Sequence, residues 1–181
     1  VIINVTAFLA TTIVPAMTLS FGLRPADVVG NLQIWQPVTY MFLHGGVFHI
    51  LFNMLALWMF GVELERTWGS HFFTRFYFIV GIGAAFTTLL LSMLPLSFAD
   101  QVYYSLTIGA SGAVYGVLLA YGLYFPHRPI YLYFFFPIPA KYFVMIIGSI
   151  SLLSAMNGPG GGVAHTTHLG GLVVAYFYLK G

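Results

Sequence analysis

Ser111 sits in a Gly109-Ala110-Ser111-Gly112 box that opens one apolar segment, and His168 opens another 57 residues later. A serine hydroxyl is a weak nucleophile until a base takes its proton, and an imidazole within hydrogen-bond reach supplies that base. Attack on an acyl carbon then builds an oxyanion, which needs donors aimed at it. His49 and Asn53 are four residues apart, so on a helix they share one face. Together with the Ser111 backbone N–H they form a candidate donor set. Ser111 and Tyr115 share a face by the same spacing, and His165 and His168, three apart, are also neighbours. The chemistry these residues could perform is hydrolysis through a covalent acyl intermediate, provided that three separate segments bring them together.

The segments belong to a membrane protein. Of the 181 residues, 60% are hydrophobic and 6% are charged, and the mean hydropathy is +0.93. A water-facing surface cannot be assembled from so few charges. The net charge of +2, without a basic patch, argues against a nucleic-acid partner. The absence of cysteine removes disulfides, thiol catalysis and thiolate metal sites. The apolar start lacks a basic n-region and reads as a mature or trimmed start, not a signal peptide.

A bilayer crossing needs about 20 mostly apolar residues. That rule gives six helices, near 1–19, 47–62, 72–94, 111–125, 140–156 and 163–179, in one all-α bundle covering 1–181 as a single domain. Breakers separate them: Gly22 to Pro37, Glu63–Gly69, Pro95 to Gly109, the prolines at 126, 129, 137 and 139, and the Gly158-Pro159-Gly160-Gly161-Gly162 run. The aromatic run Tyr131–Phe136 either lies at the interface or extends the fifth helix. The 27 residues from Ser20 to Gly46 exceed what a helix connection needs. Trp35, Tyr40, Met41 and Phe42 predict a structured interfacial segment there.

With the amino terminus cytoplasmic, Arg66, Arg75, Arg128, Lys141 and Lys180 fall inside and only Arg24 outside, as the positive-inside rule favours. The even-numbered helices then all run inward. Their first turns carry His44, His49 and Asn53, then Ser111, then His165 and His168, at one depth near the outer face. Gly112, Gly116 and Ala120 make a small-residue stripe on the fourth helix, and Gly171 and Ala175 follow His168 on the sixth, so these two helices are expected to pack closely. Each residue also has a structural reading. A serine among glycines is often a packing device, Tyr115 fits a core, His44 and His165 fit structural hydrogen-bonding roles, and His71 and His127 fit interfacial anchors. Polar groups are costly in a bilayer and mark functional interiors, so three helices placing them at one level favours a site.

Three stretches, His49-Ile50-Leu51-Phe52-Asn53, the Gly109-Ala110-Ser111-Gly112 box and His168-Leu169-Gly170-Gly171, fall in that order on the second, fourth and sixth helices. As a set they resemble the rhomboid intramembrane serine proteases. Trp35-Gln36-Pro37-Val38-Thr39, His44, Glu65 and Gly69 extend the likeness over nearly the whole six-helix core. The resemblance implies a six-transmembrane-helix rhomboid-like bundle in which Ser111 is the nucleophile and His168 the base of a dyad without an acidic third member. It further implies that His49, Asn53 and the Ser111 amide form the oxyanion hole and that Tyr115 packs on His168, with Gly109, Gly112 and His44 in support. No cofactor or metal is implied. The partners would be the bilayer and single-span membrane substrates, with small residues near the cleavage point, admitted past the fifth helix and the cap that follows it.

Two positions depart from the family pattern: Gln36, where many members carry arginine, and Ala175, where a second glycine often stands. The sequence offers no paired membrane aspartates and no His-Glu-x-x-His for other intramembrane proteases. A histidine-only metal site from His44, His49, His165 and His168 would leave Ser111 unexplained. A transporter would call for acidic relays or inverted repeats, which are missing. The alternative within the family is a pseudoprotease that binds transmembrane clients without cleaving them.

Overall fold

The computed structural model describes residues 1–132, 135–156 and 162–181. Among these residues it is a helical bundle with one small hairpin. Helix α1 (Ile2–Ile13) stops before Pro15 and α2 (Ala16–Phe21) restarts after it, so the first expected helix, 1–19, is broken in two. A proline ring clashes with the preceding turn and has no N–H to donate, which accounts for the break. The first loop folds into α3 (Pro25–Gly30), α4 (Gln36–Thr39) and a 3₁₀ turn, Tyr40–Phe42. The second helix runs further than 47–62: α5 (Val47–Ala56) passes through a π-turn, Leu57–Gly61, into α6 (Val62–Trp68). Gly69 then turns the chain with a φ of +81°, a conformation that favours glycine, and Ser70 Oγ donates to Glu65 Oε1 across the turn at 2.6 Å.

Helix α7 (Ser70–Ser92), the short α8 (Ala99–Tyr104) and α9 (Ser111–Tyr124) follow. Next come the strands β1 (Pro129–Leu132) and β2 (Phe136–Pro139), then α10 (Ala140–Met156) and α11 (Gly162–Lys180). Of the aromatic run expected at the interface or on the fifth helix, Tyr131 and Leu132 lie in β1 and Phe136 in β2, paired antiparallel with Ile130 opposite Ile138, so the run does not extend the fifth helix. Proline at 129, 137 and 139 keeps this stretch from joining α10. Most of the glycine run expected to cap the fifth and sixth helices lies outside the described residues.

Among the described residues, two runs, Val47–Trp68 and Ser70–Ser92, are long and apolar enough to cross a bilayer, and α1, α9 and α10 include shorter apolar stretches. Helix α9 is the central post, packed by α7, α10 and α11, with α5 and the π-turn against its other side. Phe76, Val80, Ala113, Val117 and Ala175 fill the space between α7, α9 and α11. Outside this core the surface is apolar: Phe48, Phe52, Phe86, Leu90, Met145 and Phe177 are all exposed. In water such a surface would aggregate, whereas acyl chains solvate it.

Candidate active site

The loop before α9 sets the site. Gly109 has a φ of +124°, and a Cβ there would come within 2.7 Å of His49 Nε2, so both backbone and space require glycine. Its N–H donates to the Tyr40 carbonyl at 2.9 Å. Thr107 and Leu23 exchange two backbone hydrogen bonds, at 2.8 and 2.9 Å. The long first loop thus holds the strand-like entry to Ser111. Tyr40 and Met41, expected at the interface, are instead fully buried, and Tyr40 donates its hydroxyl to the Gly81 carbonyl on α7 at 2.7 Å. Trp35 is exposed, as an interfacial residue would be, and its indole N–H caps the Ser20 carbonyl at 2.9 Å.

Ser111 begins α9 and His168 lies on α11, with Ser111 Oγ 2.8 Å from His168 Nε2. Close helix approach makes this possible. A Cβ on Gly171 would overlap the Gly112 carbonyl, and one on Gly112 would meet Tyr40 Oη and Ala84 Cβ at 3.0 Å and Thr167 Cγ2 at 3.2 Å. The methyl of Ala175 is seated opposite Gly116, so the departure from glycine there leaves the helices in contact. Thr88 and Thr167 hydroxyls meet at 2.8 Å and tie α7 to α11 one residue before the histidine.

The Tyr115 ring lies flat on the His168 imidazole, with centroids 4.2 Å apart and planes 9° from parallel. Its hydroxyl accepts a hydrogen bond from Ser151 on α10 at 2.9 Å. Ser151 is fully buried, and nothing in the sequence of an apolar helix marks such a serine or its partner. His165 stands edge-on to His168, with ring centroids 5.5 Å apart. His168 Nδ1 has no partner among the described residues, and no carboxylate approaches it.

His49 Nδ1 accepts a hydrogen bond from the Gly45 N–H at 3.3 Å. In a neutral ring the proton then sits on Nε2, the atom that faces Gly109 beside Ser111. Asn53 is buried and donates one amide hydrogen to the His49 carbonyl at 2.8 Å, which leaves the second free. His44 is buried with its ring edge-on to His49 at 5.0 Å. The site therefore joins Ser111 to His168 directly and Tyr115 to His168 by stacking. His49 is brought against the Gly109 turn, while Asn53 and His44 contact His49. His71 and His127 are exposed and remote from it. Among the described residues no three histidines or carboxylates converge as a metal site would require.

Gln36 is fully buried in the first loop, where it accepts from the Arg24 N–H at 2.9 Å and donates to Gln33 at 2.8 Å. An amide network thus ties Gln36 into the first loop. Arg24 itself pairs with Asp27 at 2.6 and 2.8 Å.

A half-buried serine–imidazole pair where packed apolar helices begin, beneath a surface that acyl chains would solvate, marks the class as a helical membrane protein. Residues 31–180 match the rhomboid domain family, and the chain belongs to it as an integral membrane protein. It is 29% identical over 161 residues to rhomboid protease GluP of Bacillus subtilis, covering 88% of this chain and 28% of that protein. It is 30% identical over 154 residues to rhomboid protease AarA of Providencia stuartii, covering 77% and 53% respectively. Rhomboid protein 1, mitochondrial, of Saccharomyces cerevisiae is 33% identical over 142 residues, covering 76% and 38%. The chain thus spans about half or less of the length of these relatives.

Proposed function

We propose that this chain is an intramembrane serine endopeptidase that cleaves transmembrane segments of single-span membrane proteins. The observation that carries this reading is the 2.8 Å contact between Ser111 Oγ and His168 Nε2, with Tyr115 stacked on the imidazole. Resemblance to relatives named as rhomboid proteases supports it. In this mechanism His168 Nε2 takes the Ser111 hydroxyl proton as Oγ attacks the scissile carbonyl carbon. The resulting oxyanion is met by the Ser111 N–H, the His49 Nε2–H and the free amide hydrogen of Asn53. His168 returns the proton to the leaving amine, the C–N bond breaks, and an ester to Ser111 remains. Water, deprotonated by the same imidazole, then attacks the ester carbon, the C–O bond to Ser111 breaks, the imidazole returns the proton to Oγ, and the carboxylic acid product leaves.

Rigid positioning stands in for the missing acid. Stacking by Tyr115 fixes the imidazole plane, and the close contact of α9 with α11 fixes its distance from Ser111. The substrate helix has to unwind locally, because a hydrogen-bonded helix does not present its carbonyl to attack. We place the amino terminus in the cytoplasm and the site near the outer face, with six crossings in one domain 1–181; the excess of Arg and Lys on one side supports this orientation. Helix α10 is the gate of the proposed entrance. Tethering α10 to α5 should block cleavage, and undiminished cleavage would remove that entrance.

The test is cleavage of a single-span substrate by the purified protein in liposomes, beside Ser111→Ala and His168→Ala. Removing either partner should cost several orders of magnitude in rate, as for other coupled serine–base pairs. If the parent binds several such substrates but cleaves none, the client-binding pseudoprotease reading replaces this one.

A further inference from the structure

The hairpin between α9 and α10 has no polar face. Antiparallel ribbons that meet water alternate an apolar inner face with a polar outer one. In this ribbon Ile130 turns inward and is buried, while Pro129, Tyr131 and Pro137, which share the other face, are exposed. Tyr131 is 59% exposed, Phe135 80% and Phe136 68%. From Pro129 to Pro139 the sequence holds no charge, no amide and no aliphatic hydroxyl.

The backbone is equally unusual. The Ala140 N–H donates to the Arg128 carbonyl at 2.9 Å, which makes the even-numbered pairs of the register the hydrogen-bonded ones. The odd-numbered pairs, Pro129 with Pro139 and Tyr131 with Pro137, direct their backbone groups out of the ribbon. Three of these four residues are proline and have no N–H to leave unpaired. The outward carbonyls still need donors, so full burial in hydrocarbon is excluded, whereas headgroups and interfacial water can satisfy them.

Position completes the argument. The hairpin joins the end of α9 to the start of α10, at the opposite end of α9 from Ser111, about 21 Å away at 1.5 Å per residue. At its base Arg128 is ion-paired with Glu63 of α6, which also accepts from Tyr121 Oη at 3.1 Å. The Lys141 ammonium lies over the Tyr142 ring, 4.9 Å from its centroid. Beyond the hairpin, Tyr142, Met145, Ile146 and Ile150 of α10 are exposed in turn, a lipid-facing surface in an integral membrane protein.

We propose that the β1–β2 hairpin is a lipid-binding anchor that lies in the headgroup–acyl boundary on the side of the membrane away from Ser111, with Tyr131, Phe135 and Phe136 as its contacts to lipid. It holds the base of α10 at a fixed depth. This inference rests on membrane integration alone and is independent of whether the chain cleaves anything.

Because the chain has no cysteine, Tyr131→Cys and Phe135→Cys each provide a unique site for a nitroxide label. In liposomes of phosphatidylcholine and phosphatidylglycerol, the collision rates of each label with oxygen and with a water-soluble nickel chelate are compared. A label on Phe86→Cys, exposed on α7, serves as the lipid reference, and one on Asp100→Cys, exposed on α8, as the aqueous reference. The oxygen-to-nickel ratio at both hairpin positions should exceed that at residue 100 several-fold and approach that at residue 86. A ratio equal to the aqueous reference would mean that the hairpin projects into water and would overturn the proposal. Protection from both reagents, with spin–spin broadening, would assign the face to a second copy of the chain and overturn it equally.

Discussion

Replacing Gly171 by alanine tests whether the whole site depends on the approach of α11 to α9. The new Cβ would overlap the Gly112 carbonyl oxygen and lie 2.9 Å from its carbon and 3.4 Å from the Gly112 Cα. Carbon–carbon contacts settle at about 3.5–4.0 Å and the overlap with the oxygen is deeper still, so the two backbones must part by roughly 1 Å or more. No flexible side-chain end is available to absorb the shift, since the obstructing atoms are all backbone. His168 is three residues before Gly171 on the same rigid helix, so its 2.8 Å contact with Ser111 would stretch past the range of about 2.7–3.2 Å in which such bonds are effective. Misplacing reacting groups by about 1 Å costs on the order of 10²-fold in rate. Overpacking costs about 1–3 kcal/mol of stability, which leaves a folded protein to assay. The assay is cleavage of a single-span substrate in liposomes, with the thermal midpoint measured in detergent on the same preparations. Ala175→Gly is the companion variant: it removes a methyl from the same interface without pushing the helices apart and should keep most of the activity. Folded Gly171→Ala protein that cleaves at close to the parent rate would show that the helix spacing does not set the dyad, and the reasoning would fail.

Two further outcomes follow from contacts outside the dyad. Ser151→Ala removes the donor to Tyr115 and should lower cleavage by roughly fivefold, the equivalent of about 1 kcal/mol for one hydrogen bond; Ser151→Thr, which keeps the hydroxyl, should restore it and return the pH–rate profile to the parent's. An unchanged profile for the alanine variant would deny Ser151 a role in positioning the imidazole. In the first loop, the hydrogen bond from Arg24 holds the Asp27 carboxyl below the ordinary carboxylate range, with Asn31 adding a second donor. A depressed folded-state value means that the stabilisation is present above the unfolded value of about 3.9 and is lost as the pH falls below it. Arg24 is 40% exposed, so solvent screening limits the pair to about 1 kcal/mol or less. The thermal midpoint of the parent should therefore fall more between pH 5 and pH 3 than that of Asp27→Asn, and parallel curves would count against the pair.

Much of the protein is legible before any coordinates. Composition demands a membrane, because so few charges cannot make a soluble surface. The spacing of His49 and Asn53, of Ser111 and Tyr115, and of His165 and His168 places each pair on one helical face, since a 3.6-residue period acts within a segment whatever surrounds it. Glycine at 112, 116 and 171 announces the close approach of the fourth helix to the sixth, though not its distance. The misreadings have physical causes. Pro15 lies in an apolar run long enough for a helix, and its effect on the backbone outweighed that hydropathy. Tyr40 and Met41 have the composition of an interfacial loop, yet the turn that carries them tucks between α7 and the Gly109 loop. Pro129, Pro137 and Pro139 mark a breaker, but only pairing across the turn reveals a ribbon.

What the sequence alone determined, then, is membrane residence, the family resemblance and which residues have chemistry to offer, all properties of residue type and short-range periodicity. Tertiary structure decided the 2.8 Å contact of Ser111 with His168, the seating of Ala175 opposite Gly116, the hold of Ser151 on Tyr115 and the proton position that Gly45 sets on His49. Those depend on distances between segments remote in the chain. Such distances are set by the packing of the helices as solid bodies, in which a single methyl group at residue 171 outweighs any local preference of the chain.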